Sequence, residues 1–215
     1  MKSRILKEIN EIEKNNDVKV IYVCESGSRA WGFASEDSDY DVRFLYVHSK
    51  DWYLTIADKR DVIEIPFDGE LDINGWDIRK SLKLLRKSNS PLLEWLSSPI
   101  KYRNVRSVMN AFVELSRDAF LPESSCHHYL SMAQNIIDSF KDGKKVRVKY
   151  YLYSLRTILC CKWAESVNII RSLSFEEYLE SQLNFVETKI PKNPKKIPIE
   201  KFDSVFQKIL SESKT

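Results

Sequence analysis

No stretch of this 215-residue chain approaches the roughly 20 consecutive apolar residues of a membrane-spanning helix, which argues against an integral membrane protein. No export signal is expected either. The opening MKSRILKEINEIEKNN carries acidic residues and no apolar centre, so it reads as an amphipathic helix rather than a signal peptide. Cysteine is scarce: Cys24, Cys126, Cys160 and Cys161 form no CxxC pair. Without an export signal they are expected to be reduced thiols, and the expected location is cytoplasmic. No internal repeat is present. Strong charge of one sign is lacking too, since the formal net charge is only +3. That charge is unevenly spread: residues 1–140 carry a net of −3 and residues 141–215 a net of +6. A basic C-terminal part beside an acidic part would suit a polyanionic partner such as RNA, although a solvated helical surface gives the same bias.

What is there is concentrated between Cys24 and Val47, CESGSRAWGFASEDSDYDVRFLYV. The run Val18–Val23 before it is β-branched and aromatic and predicts a strand. Gly27 breaks that strand and Ser28 follows, where a turn feeding a short helix presents N–H donors and a hydroxyl to an anion. A polar connection leads to Asp39-Tyr40-Asp41-Val42 and a second strand at about 40–48. In a strand, residues two apart share a side, so Asp39, Asp41 and Arg43 face one way and Tyr40, Val42, Phe44 and Tyr46 the other. Two carboxylates repeating at roughly 6–7 Å repel each other unless a cation neutralises them. Mg²⁺ or Mn²⁺, with phosphate oxygens completing the shell, suits such a pair. A phosphate-holding turn ahead of a metal-holding strand is a site for a nucleoside triphosphate.

The Gly27-Ser28 and Asp39-x-Asp41 spacing resembles the polymerase-β-like nucleotidyltransferase superfamily. Its signature is a Gly-Ser, about a dozen residues, and two carboxylates around one apolar residue. The longer text GSRAWG, SDYDVRFLYV and INGWDIRKSLKLLRKSNSPLLEWLSSPIKY is similar to one branch, the predicted nucleotidyltransferases associated with RNA ligases. The resemblance spans about residues 18–165. It implies a metal site of Asp39, Asp41 and a third carboxylate from a neighbouring strand, which can also take the proton of an attacking hydroxyl. Asp77 in GWDIRK is the favoured third carboxylate by resemblance, Asp72 is its competitor and Glu64 a weaker choice. Alternation puts Ile73, Gly75 and Asp77 on one face and Asp72, Asn74 and Trp76 on the other, so Asp72 and Asp77 cannot both face one site. Gly27 and Ser28 would cradle phosphates, with Arg29 assisting.

The remaining chain reads more plainly. Trp31 and Phe33 are expected as packing anchors, and 49–61 as a loop with a helical turn that could act as a lid. Val62–Ile65 and Leu71–Ile78 predict a hairpin, followed by a basic amphipathic helix to about residue 87 and another from Pro91 to Leu96. From Val105 on, helices are expected at 105–119, 124–140, 145–166, 174–184 and 200–213, with KIPKNPKKIP as an extended linker. His127-His128 lacks further zinc ligands at workable spacing and is expected to be a packed pair. In the helix 145–166, Lys149, Tyr153 and Arg156 share a face that could hold a triphosphate and stack a base. Val148, Leu152, Leu155 and Leu159 are expected to dock it.

The expectation is therefore an α+β fold: a small mixed sheet with flanking helices, then a helical domain. The expected domains are 1–104, catalytic, and 105–215, helical. The expected activity is metal-dependent transfer of an NMP from an NTP to a hydroxyl acceptor, possibly RNA, with pyrophosphate released. The alternatives are a non-catalytic nucleotide-binding adaptor for an RNA-processing partner, or a transferase acting on a protein or small molecule. An RNA ligase partner is implied by the resemblance alone.

Overall fold

Ile5, Ile9 and Ile12 recur at helical spacing, and all three are buried on one stripe of α1 (Lys2–Asn16). Fully burying each contributes about 1.5–3 kcal/mol. Asp17 ends the helix in the left-handed region at φ 50°. The computed structural model describes residues 1–138, 148–166 and 198–212. Five strands follow α1 in a single mixed sheet, ordered β3-β4-β2-β1-β5. They are β1 (Val18–Glu25), β2 (Tyr40–His48), β3 (Val62–Glu64), β4 (Leu71–Asp77) and β5 (Lys101–Asn104). The fold is α+β, as the sequence implied.

Between β1 and β2 lies α2 (Gly27–Ala30), and between β2 and β3 the one-turn α3 (Lys50–Tyr53). After β4 come α4 (Ile78–Arg86), α5 (Ser90–Ser97), β5 and α6 (Arg106–Ala119), then α7 (Pro122–Asp138), α8 (Val148–Ser166) and α9 (Ile199–Glu212). The helix expected over 174–184 and most of the proline-rich 189–198 lie outside the described residues. None of the described helices is long and apolar enough to cross a membrane.

The sheet has a core on each face. α1 packs with Val42, Phe44, Tyr46, Leu71 and Ile73 on one side. Phe44 lies so close over Gly75 that a Cβ there would meet its ring at 2.2 Å. On the other side Cys24, Leu45 and Val47 pack with residues of α4, α5, α6 and α9. The five strands with α1–α6 and α9 form one compact unit, and α7 with α8 a second.

Two features depart from the sequence expectation. β5 was not foreseen; it is an edge strand paired antiparallel to β1. On α8, Leu152 and Leu155 are exposed at 41% and 55%, while Thr157, Cys160, Cys161 and Ala164 are buried. Tyr129 of α7 packs with Cys160 and Cys161. The docking stripe is therefore rotated from the expected leucine row to a face of small residues, which allow the two helices a closer approach.

Candidate active site

β1 runs antiparallel to β2. The end of β1 and the turn after it therefore lie beside the start of β2, and this brings Gly27 to Asp41. Gly27 adopts φ +60°, and a Cβ on it would stand 2.0 Å from Asp41 Oδ2 and 2.9 Å from Asp41 Cγ. Glycine is favoured here by the left-handed backbone and required by the space. The Ser26 N–H donates to the Asp41 carbonyl at 2.7 Å and closes the turn onto the strand. The Gly-Ser and Asp-x-Asp motifs, separate in sequence, are thus one contact in space.

β2 runs parallel to β4 with Asp41 paired to Asp72, Arg43 to Asn74 and Tyr46 to Asp77. Register partners share a face, so Asp41 and Asp72 stand side by side with Arg43 next to them. Arg43 Nη2 reaches Asp41 Oδ1 at 3.2 Å and Asp72 Oδ2 at 2.8 Å. Its Nη1 donates to the carbonyls of Val42 and Asp72, both at 3.0 Å. Each carboxylate spends one oxygen on Arg43 and keeps the other. Burial pushes the Asp41 carboxyl up from its ordinary range, Arg43 opposes this, and Asp72 and Asp39 add to the rise.

Asp39 is exposed, two residues ahead of Asp41. The loop that carries it is held by Arg29, whose guanidinium donates to the carbonyls of Ser38 at 2.6 Å and Asp39 at 3.1 Å. The same group lies 3.8 Å over the Tyr40 ring. Arg29 is thus engaged in shaping the loop. Trp31 and Phe33, half-buried, tilt against each other at 5.7 Å. Ser28 is half-buried in α2.

Asp77 is not brought to this group. It sits five positions beyond Asp72 on β4, about 16 Å away at strand rise and on the opposite face. Buried to 1% exposure, it caps α4: Oδ1 accepts the Arg79 N–H at 2.8 Å and Oδ2 accepts the Tyr53 hydroxyl at 2.6 Å. The carboxylate expected to complete the site thus starts a helix, and Asp72 stands where the third carboxylate was sought. Glu64, on β3, is bound to Arg60 and Asn74.

Lys149, Tyr153 and Arg156 belong to α8, in the second unit. The Lys149 side chain lies outside the described residues, and Tyr153 and Arg156 are half-buried. His127 is exposed and His128 half-buried on α7. Among the described residues no three His, Cys, Asp or Glu side chains gather closely enough to hold a metal ion as they stand. The donor chemistry at Asp41 and Asp72 nevertheless fits a hard cation. Two carboxylates share a face, a guanidinium already serves them as a cation, and Asp39 precedes on the exposed side.

Sequence reasoning missed one member. Glu25 ends β1 with 0% exposure; its Oε1 accepts the Asp41 N–H at 2.9 Å and its Oε2 accepts the Tyr102 hydroxyl. Burial raises the Glu25 carboxyl; the hydrogen bonds from Tyr102 and from the Asp41 N–H oppose the rise, and the Asp41 charge adds to it. The only trace in the sequence is a carboxylate closing an otherwise apolar strand, directly before Ser26-Gly27.

The chain matches, over residues 1–198, a family model described as "RNA repair pathway DNA polymerase beta family". It belongs to that family. The "Uncharacterized protein YcgL" of Bacillus subtilis (strain 168) is 49% identical to it over 175 residues, which cover 81% of this chain and 67% of that protein. Membership of a polymerase-β-type family agrees with the resemblance that the two motifs carried.

Proposed function

We propose that this protein is a nucleotidyltransferase that moves an NMP from an NTP to a hydroxyl acceptor and releases pyrophosphate, with RNA as the acceptor. One observation carries the reading: Gly27, at φ +60°, is packed onto Asp41, which is in register with Asp72. This arrangement puts an anion-binding turn against paired carboxylates.

Asp39, Asp41 and Asp72 would hold Mg²⁺ or Mn²⁺, which when bound neutralises the triphosphate and lowers the pKa of the acceptor hydroxyl. Arg43 fixes one oxygen of Asp41 and one of Asp72, leaving their partners for the cation and, at Asp72, for the acceptor proton. Gly27 and Ser28 hold the β and γ phosphates, and Arg29 keeps the loop of Asp39 closed on that turn. Lys149, Tyr153 and Arg156 are assigned to the nucleotide by their spacing in the sequence alone. The family description, naming an RNA repair pathway, supports RNA as acceptor; an RNA ligase as partner rests on the sequence resemblance. A cytoplasmic setting agrees with four free thiols.

A second reading, a nucleotide-binding adaptor without turnover, is favoured by Arg43 alone, because it already offsets one of the two carboxylate charges. Incubation with each of four NTPs, Mn²⁺ or Mg²⁺ and pooled small RNA separates the two. Metal-dependent pyrophosphate release from one preferred NTP is expected. NTP binding without release under any acceptor would favour the adaptor.

A further inference from the structure

The buried Glu25 is used by nothing in the scheme above, yet its side chain bonds directly to Asp41 of the site. β1, β2 and β5 meet at it: its own strand end carries it, Asp41 of β2 donates its N–H to Oε1 at 2.9 Å, and Tyr102 of β5 donates its hydroxyl to Oε2. Ser98 Oγ donates to the Glu25 carbonyl at 2.6 Å, so the backbone here is tied down as well. The Glu25 N–H donates to the Ile100 carbonyl at 2.9 Å. Every polar group of this residue is thus committed.

Asp41 N–H is not part of the β1–β2 ladder, whose register ends at Glu25 paired with Val42. The Glu25 side chain takes over where the ladder stops. It bonds the backbone of the residue whose carboxylate touches Gly27 and Arg43. A fully buried carboxyl group is costly to keep. An apolar side chain would fill the place more cheaply if only packing were needed.

We propose that Glu25 is a positioning residue for the metal site: with Tyr102 it fixes the first residues of β2, so that Asp41 presents its free oxygen beside Asp72. This inference rests on the nucleotidyltransferase reading. Mn²⁺ binding by calorimetry and Mn²⁺ dependence of pyrophosphate release test it on the full chain, with unfolding temperatures measured alongside.

Glu25→Ala removes both contacts and is expected to raise the Mn²⁺ dissociation constant and the half-saturating Mn²⁺ at least tenfold. Its rate at saturating metal falls less. Glu25→Gln offers an oxygen to Asp41 N–H and an amide to Tyr102, and is expected to recover most of the loss. Tyr102→Phe releases one side and is expected to weaken Mn²⁺ binding about three- to tenfold. It carries the test if Glu25→Ala does not fold. Unchanged Mn²⁺ binding in Glu25→Ala or, failing that, Tyr102→Phe overturns the inference. So does equal weakening by Glu25→Gln and Glu25→Ala. A wild-type protein that binds no Mn²⁺ overturns the parent reading instead, and the positioning role falls with it.

Discussion

Substitution of Gly27 by alanine tests the joint between the two motifs. An L-residue at φ +60° costs roughly 1–2 kcal/mol relative to glycine. The new Cβ would also stand 2.0 Å from Asp41 Oδ2. Asp41 cannot simply move back: its N–H is held by Glu25, its carbonyl by Ser26 and its Oδ1 by Arg43. The side chain must leave its rotamer and its 3.2 Å bond to Arg43, at about 0.5–1.5 kcal/mol. The total is about 1.5–3.5 kcal/mol, which for a chain of this size lowers the unfolding temperature by about 3–14 °C. A carboxylate misplaced by about 1 Å is expected to slow pyrophosphate release by about 100-fold. Thermal unfolding and release rates are measured on the same preparation. Gly69→Ala is the control, since Gly69 has φ +96° with nothing within 4 Å of an added Cβ. It also puts an L-residue at positive φ, without the clash, and should lose stability but not activity. A Gly27→Ala protein matching Gly69→Ala in both readouts would refute the reasoning.

Three further outcomes follow from the site and its supports. Arg43→Gln leaves two register-paired carboxylates without their cation, so its unfolding temperature should drop in chelator and recover with Mn²⁺ more than the wild type's does; an equal metal response in both counts against the shared site. Asp77→Ala removes the α4 cap and leaves the Tyr53 hydroxyl, which still accepts the His48 N–H, without its acceptor; it is expected to cost about 2–3 kcal/mol in denaturant unfolding while leaving Mn²⁺ binding intact. Burial, then Lys59, lowers the His48 pKa to about 4. The unfolded chain therefore takes up a proton below about 6.5 that the folded one refuses, and stability from this group is lost as pH falls from 6.5 towards 4. His48→Asn should flatten that part of the stability–pH curve, and an unchanged slope would count against it.

Much of the fold was legible because its signals are local. β1, β2 and the β3–β4 hairpin follow from β-branched runs and the turn at 67–70, and alternation alone separated Asp72 from Asp77 by face. Which of the two meets Asp41 depends on the parallel register of β2 with β4, a pairing across a long connection that no local pattern encodes. Resemblance pointed to Asp77; the register pairs Asp41 with Asp72. β5, Lys-Tyr-Arg-Asn, has no apolar alternation because it is an edge strand, so nothing marked it. Glu25 looked like the end of a strand, and one partner of its buried side chain, Tyr102, lies 77 residues away in sequence. On α8 the leucines drew attention, but the partner helix α7 selects the face of small residues.

The most direct measurement compares metal-dependent pyrophosphate release by the wild type, Asp72→Asn and Asp77→Asn at a temperature where all three are folded. The account predicts release by the wild type, a loss of two or more orders of magnitude in Asp72→Asn, and near-wild-type release in Asp77→Asn. Loss in Asp77→Asn with release retained in Asp72→Asn would contradict it.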